Sequence, residues 1–148
     1  MKKNLLIKII SIYLILASGT IASQTNYFDE GVKLFEKKKF DESRIFFERD
    51  IVFNPKKEVS YLYLAKIYNE NNNDEEFEMK LKSVLLLNSQ NDEALYMLTL
   101  LKIRQSDYNQ ARELIDKFIL VCKTFCSKKE EIQEKFSKLV PENEKVKN

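Results

Sequence analysis

The 148-residue sequence is poor in the residues that interrupt helices, with only two glycines and two prolines. Average proteins use these two types at about 12% of their positions. The shortage excludes turn-rich sandwiches and barrels, and it favours long helices joined by short loops. Because 44% of the residues are hydrophobic and 11% are aromatic, the chain can bury a core. The composition therefore predicts one all-α domain.

Histidine is absent and cysteine occurs only twice. The first absence removes the commonest general base and the commonest metal ligand. Two cysteines cannot supply the four ligands of a structural zinc site. Gly19 and Gly31 are the only glycines, so a glycine-rich phosphate loop is excluded. We therefore expect a protein that is not an enzyme and that binds neither a metal nor a cofactor.

Residues 1–23 are typical of a signal peptide for export. Lys2, Lys3 and Lys8 supply the positive charge, and the following stretch is mostly apolar. Small residues then allow cleavage after Gly19 or after Ala22, and we favour Ala22. Removal of the three lysines changes the formal net charge from +2 to −1. A nearly neutral body has no electrostatic footprint for nucleic acid, so no nucleic-acid partner is expected.

Export would place the protein in the periplasm or elsewhere in the envelope of a bacterial cell. The alternative is that residues 5–22 stay attached as an inner-membrane anchor. The polar residues that begin at Ser18 weaken this alternative, because a spanning helix needs about 20 mostly apolar residues. The membrane would then be a partner only through this segment.

Similar residue types recur in the sequence at a constant step of 34 positions. The recurring sets are Tyr27, Tyr61 and Leu95, then the small residues Gly31, Ala65 and Thr99, then the apolar residues Phe47, Leu81 and Ile115. A repeat of this length is the signature of an array of identical helical units. The period thus predicts three units, at residues 24–57, 58–91 and 92–125.

These residues resemble the tetratricopeptide repeat (TPR) family, whose unit is a helix–turn–helix of this length. The resemblance rests mainly on Tyr27, Gly31, Leu34, Phe40, Ser43, Phe47 and Pro55 in the first unit, on Tyr61, Leu64, Ala65, Tyr68, Leu81 and Val84 in the second, and on Leu98, Asp107, Tyr108, Ala111, Ile115 and Phe118 in the third. It implies a right-handed superhelical stack of three TPR-like repeats. Three residues depart from the family pattern: Asp50, Phe77 and Lys102.

Seven helices are predicted from the apolar periodicity, the caps and the prolines. Their ranges are 26–37, 41–53, 57–70, 74–88, 91–104, 108–122 and 128–139. The last helix belongs to a segment, 126–140, that we expect to cover the apolar end of the stack with a wettable face. Residues 141–148 are expected to form a frayed tail.

The resemblance implies a concave face built from the first helix of each unit. Its predicted lining is Phe28, Val32 and Phe35, then Leu62, Lys66 and Asn69, then Tyr96, Leu100 and Ile103. Because only Lys66 and Asn69 could act in the family's peptide-carboxylate clamp, we expect an apolar or amphipathic peptide or helix of a partner protein instead. The alternative is that these side chains pack neighbouring repeats together.

A second hypothesis concerns the first helix, which has no preceding repeat to cover it. Its residues Phe28, Val32 and Phe35 would then form the interface of a homodimer. Near the end of the sixth helix, Cys122 and Cys126 lie four residues apart. In an exported protein they can form a disulfide, which requires the helix to unwind near Lys123 or Thr124. Two reduced thiols are the alternative.

Overall fold

The computed structural model describes residues 26–139, so the predicted signal peptide and the tail lie outside the described residues. Within this range the chain forms seven α-helices: α1 (Tyr27–Glu36), α2 (Phe40–Phe53), α3 (Glu58–Glu70), α4 (Asp74–Leu87), α5 (Asp92–Arg104), α6 (Tyr108–Val121) and α7 (Lys129–Leu139). Each helix begins and ends within one residue of its predicted bounds. The all-α prediction is confirmed, and residues 26–139 contain no strand.

The helices pack as three consecutive pairs, α1 with α2, α3 with α4, and α5 with α6. Contacts between α2 and α3 and between α4 and α5 join each pair to the next. A short 3-10 turn, Cys126–Lys128, leads into α7, which packs on both α5 and α6. The stack of three TPR-like repeats with a C-terminal capping helix is therefore the observed fold.

The turn inside each pair has the same backbone geometry. Lys38, Asn72 and Ser106 adopt left-handed conformations with φ angles of 57°, 55° and 59°. The next residue in each turn donates its N–H to a carbonyl five positions earlier, as when Asn73 donates to Tyr68 over 2.9 Å. This is the Schellman ending of a helix, in which the left-handed position is usually glycine. The three residues are 34 positions apart, so the turn geometry follows the repeat.

The first repeat contains an unusually close contact between its two helices. Phe47 is completely buried, and a Cβ added to Gly31 would lie 2.8 Å from its ring. The Ser43 hydroxyl donates to the Gly31 carbonyl over 2.8 Å, which holds α2 against α1 at this point. Gly31 is therefore required because no larger residue fits beside the phenylalanine. The pairs at the same positions of the other repeats are Ala65 with Leu81 and Thr99 with Ile115.

Two of the departures from the family pattern are buried charges that have acquired polar partners on the adjacent repeat. Asp50 on α2 is 2% exposed and accepts a hydrogen bond from the Ser60 hydroxyl on α3. Lys102 on α5 is 5% exposed, and its Nζ lies 2.7 Å from the Glu78 carboxylate on α4. A buried charge is tolerated when it is paired and hydrogen-bonded. The third departure, Phe77, simply contributes to the apolar core.

Candidate functional site

The first helices of the three pairs, α1, α3 and α5, carry the nine residues predicted to line a concave face. Six of these nine are half-buried: Phe28, Val32, Phe35, Lys66, Asn69 and Leu100. The other three are buried, with 6% of Leu62, 9% of Tyr96 and 6% of Ile103 exposed. The structure therefore divides the predicted set into a part that solvent reaches and a part that the fold itself covers.

The placement of Leu62, Tyr96 and Ile103 corrects the sequence prediction. Leu62 belongs to a core cluster with residues of α4 and α5, and Ile103 belongs to a second cluster formed with α6 and α7. The Tyr96 hydroxyl donates to the Glu131 carboxylate on α7 over 2.9 Å. Burial of the side chain is the larger cause and this hydrogen bond the second, and together they raise the pKa of Tyr96 to about 12. These three side chains hold neighbouring helices together.

The half-buried residues of α1 meet α3 in an aromatic cluster formed by Phe28, Phe35, Phe47 and Tyr63. The Tyr63 ring stacks on Phe47 with centroids 4.8 Å apart. Phe28 and Phe35 contact the same tyrosine edge-on, at 5.7 and 5.1 Å. Such offset and edge-to-face pairs add to the stabilisation that burial provides. The aromatic cluster therefore joins the first two repeats and presents a half-exposed apolar surface.

The basic groups near this surface already have partners. Lys66 Nζ lies 2.8 Å from the Glu93 carboxylate on α5 and 5.2 Å from the centre of the Tyr63 ring. Lys57 Nζ lies 3.8 Å above the Phe28 ring. Because Lys66 is ion-paired with a carboxylate of this chain, it offers little positive charge to an acidic ligand. The surface is chemically apolar with its central charge neutralised.

Three further half-buried residues were not predicted, and their spacing from Lys66 and Leu100 places them on the same helix faces: Val59, Tyr63 and Met97. The prediction followed residues spaced i, i+4 and i+7, and a helix rotates by about 100° per residue, so a side chain one position away belongs to a neighbouring row. The signal that could have found Tyr63 and Met97 is their shared repeat position, since they are 34 residues apart. We define the inner face as Phe28, Val32, Phe35, Val59, Tyr63, Lys66, Asn69, Met97 and Leu100.

Other kinds of site find no support within residues 26–139. No grouping of three or more potential metal-ligating side chains occurs there. No helix in this part of the chain is long and apolar enough to cross a bilayer. One open depression of about 610 Å³ lies elsewhere, along α4, lined by Glu75, Glu78, Met79, Lys82, Ser83 and Leu86.

The loop after α6 is organised around Asp92, the first residue of α5. One carboxylate oxygen of Asp92 accepts hydrogen bonds from the backbone N–H groups of Lys123, Thr124 and Phe125, at 2.7, 2.6 and 2.9 Å. Burial alone would raise the pKa of Asp92, but these bonds outweigh it and lower the pKa to about 2. The sequence prediction did not include this anchor, which joins residues more than 30 positions apart.

Cys122 and Cys126 lie at the two ends of this loop. Helix α6 stops at Val121, and the backbone leaves the helical conformation before Thr124, where the prediction required unwinding. The two Cα atoms are 5.3 Å apart and the sulfur atoms are joined in a disulfide. This separation is within the usual range for a bridge. Asp92 therefore holds the same short loop that the disulfide closes.

We expect the paired variant Cys122→Ser with Cys126→Ser to lose at most about 2 kcal/mol of unfolding free energy, because the closed loop is short and Asp92 still holds it. Urea unfolding of the variant and the parent protein, with and without reductant, measures this loss. Alkylation followed by mass determination reports the oxidation state directly. Modification of both thiols in the unreduced, denatured parent protein would contradict the disulfide.

No family model matches the sequence, and no curated protein is similar to it. Solved structures do match. A chain described as the first TPR of Spaghetti (RPAP3) bound to the HSP90 peptide SRMEEVD is 14% identical, with a TM-score of 0.65 over 80% of this chain and 99% of that one. A chain of the CopN–Scc3 complex is 16% identical, with a TM-score of 0.65 over 77% of this chain and 70% of that one. These similarities show that this chain has the same fold as those structures, a TPR-like stack of helix pairs.

Proposed function

We propose that this chain is a non-catalytic protein-interaction module of the cell envelope. Its inner face binds an apolar or amphipathic peptide or helix of a partner protein. The observation that carries the proposal is the composition of that face, which is mostly apolar and aromatic and whose central lysine is paired with Glu93. Side chains of this kind, rather than charged ones, are the usual anchors of a bound helix.

The structural neighbours support the general role. The RPAP3 domain is bound to a peptide, and the other match belongs to a two-protein complex. The peptide in the first case, SRMEEVD, is acidic at its end. Because Lys66 is engaged within this chain, we expect a different, more apolar ligand here. The envelope location rests on the predicted signal peptide alone.

Peptides selected from a random library on the full-length protein provide the test. We expect the selected sequences to be amphipathic or apolar, and we expect Val32→Glu and Leu100→Lys each to weaken their binding on the order of tenfold to a hundredfold. Fluorescence anisotropy of labelled peptides measures this, with SRMEEVD as a probe that should not bind.

Ile45→Glu is the matched control, because Ile45 is 44% exposed on α2 and is outside the inner face. Circular dichroism must show that all three variants remain helical. Selected peptides that bind the Val32 and Leu100 variants as tightly as the parent protein would refute the location. Tight binding of SRMEEVD would refute the proposed ligand chemistry.

Self-association remains the second candidate, with a changed interface. The residues first assigned to it, Phe28, Val32 and Phe35, are half-buried against the chain's own α2 and α3, so only their exposed parts are available to a second copy or to a peptide. In the first repeat, however, Phe53 at the end of α2 is 68% exposed and stacks on Tyr27 with centroids 5.5 Å apart. Sedimentation at micromolar concentration separates the two functions. A monomer that binds selected peptides supports recruitment, whereas a dimer that binds none supports the structural role.

A further inference from the structure

The second helices of the three repeats carry a row of protruding aliphatic side chains. Val52 on α2, Leu86 on α4 and Leu120 on α6 are 74%, 86% and 84% exposed. They are separated by steps of 34 residues, so they occupy the same position of successive repeats. In a stack of equivalent units, equivalent positions follow one another along one side. We name these three residues the outer row.

Packing in the core does not explain why the outer-row residues are aliphatic, because most of each side chain is exposed. Single exposed apolar residues are common on protein surfaces, and one of them would need no explanation. Here the same structural position is large, aliphatic and more than two-thirds exposed in all three repeats. A feature repeated in register points to a shared use rather than to scatter.

Positive charge accompanies the outer row. Exposed cations lie within four residues of two of its members along the chain, Arg49 and Lys56 beside Val52 and Lys117 and Lys123 beside Leu120, whereas Lys82 beside Leu86 is paired with Glu78 at 2.6 Å. The acids in the same stretches that reach the surface are Glu48 and Asp116, and Glu48 is paired with Arg44 at 2.8 Å. The chain beyond residue 23 has a formal charge of −1, so this excess of cations is local.

We propose that the outer row rests on an anionic membrane surface, with its three aliphatic side chains in the interfacial region and the neighbouring cations against lipid headgroups. Isolated aliphatic side chains flanked by lysine and arginine are suited to this environment, where apolar insertion and attraction to anionic lipid act together. The proposal uses the outer helices, so it is independent of peptide binding on the inner face.

A second copy of the chain or another protein is a poorer match for the outer row. Two such rows brought face to face would oppose like charges. The three side chains belong to three different helices, so they form a row of single protrusions on α2, α4 and α6 rather than the broad, well-packed apolar centre that stable protein interfaces contain. A fluid bilayer needs no contiguous patch, because it deforms around each side chain separately.

The sequence contains no tryptophan, so a single introduced tryptophan reports on its own surroundings. We would place it by Leu86→Trp or Leu120→Trp in the full-length chain and add vesicles whose acyl chains carry bromine, a quencher of nearby tryptophan. Asn71→Trp is the control, because Asn71 is exposed in the turn that precedes α4 and lies roughly 20 Å from Leu86 along the helix.

With vesicles rich in phosphatidylglycerol, we expect Leu86→Trp and Leu120→Trp to shift to shorter wavelength and to lose about half of their fluorescence or more, while Asn71→Trp changes little. Neutral phosphatidylcholine vesicles should have much less effect. Because the reading is local, attachment through the N-terminal segment alone leaves the outer row unquenched.

Three outcomes would overturn the proposal. The first is an outer-row tryptophan that stays unquenched on vesicles. The second is equal quenching by neutral and anionic vesicles, which would remove the role of the cations. The third is a concentration-dependent shift to shorter wavelength without vesicles, which would show that protein covers the row. Circular dichroism of each variant checks that the helices are retained.

Discussion

Replacing Phe47 with alanine should lower the free energy of unfolding by about 3–5 kcal/mol, the usual range for removing a fully buried phenylalanine. This ring is completely buried, stacks on Tyr63 and packs directly against Gly31, so its loss empties the contact between α1, α2 and α3. Urea unfolding followed by circular dichroism measures the change. We expect the first two repeats to lose stability together, because the aromatic cluster joins them.

Phe53→Ala is the matched control for this experiment. The two phenylalanines belong to the same helix, but Phe53 is 68% exposed. A surface substitution of this kind usually changes stability by about 0.5 kcal/mol or less. Equal losses in the two variants would show that the packing described for Phe47 does not hold in solution.

The second large effect concerns Asp92→Asn, which should lose about 2–3 kcal/mol at neutral pH. The charged carboxylate accepts three backbone N–H bonds from the loop after α6, and an amide accepts them less strongly. Because the folded-state pKa of Asp92 is lowered to about 2, below its ordinary value, the folded protein binds this proton less readily than the unfolded chain. The stabilisation is therefore present above about pH 4 and is lost as the pH falls towards 2.

The pH dependence makes this prediction specific. Urea unfolding of the parent protein and the Asp92→Asn variant between pH 7 and low pH should give two curves that converge near pH 2. Burial would raise the pKa of Glu78, but hydrogen bonds from Lys102 and Lys82 outweigh it and lower this pKa to about 2 as well. Glu78 is present in both proteins, so its contribution to the pH dependence cancels in the comparison. Asp116→Asn, an exposed acid on α6, is the control. A gap between the curves that stays constant with pH would contradict the assigned role of the charge.

The helices were predictable because their signals are local. Asn73 accepts a hydrogen bond from the Glu76 N–H over 3.2 Å, as its sequence position indicated. Pro55 follows the end of α2, where a residue before proline leaves the helical conformation. The period of 34 residues added the order in which such helices stack. Element bounds and fold therefore followed from neighbours in the chain.

The inner face was predicted only in part, because burial depends on helices that are distant in sequence. Tyr96 has the same repeat position as Phe28, yet α7 covers it and supplies Glu131 as a hydrogen-bond partner. Within residues 26–139 no helix covers Phe28 as α7 covers Tyr96, and Phe28 is half-buried. A repeat pattern assigns the same position to both residues, and only the position of each repeat within the stack distinguishes them.

The Asp92 anchor and the two buried charges could not be predicted for a related reason. Asp50 and Lys102 each depart from the family pattern, and the sequence alone gave no sign that Ser60 and Glu78 compensate them. Their partners belong to the adjacent repeat. A polar pair between two repeats produces no periodic signal in the sequence, because each of its residues occurs once and is not repeated after 34 positions.

The left-handed turn residues have a consequence for the evolution of this chain. Lys38, Asn72 and Ser106 each adopt a backbone conformation that suits glycine, and asparagine tolerates it better than lysine or serine does. The mismatch costs on the order of 1 kcal/mol at such a position. Because these turns are outside both the inner face and the outer row, mutation to glycine there could offset the destabilisation that comes with new binding residues. The repeat array thus holds spare mutational tolerance in its loops.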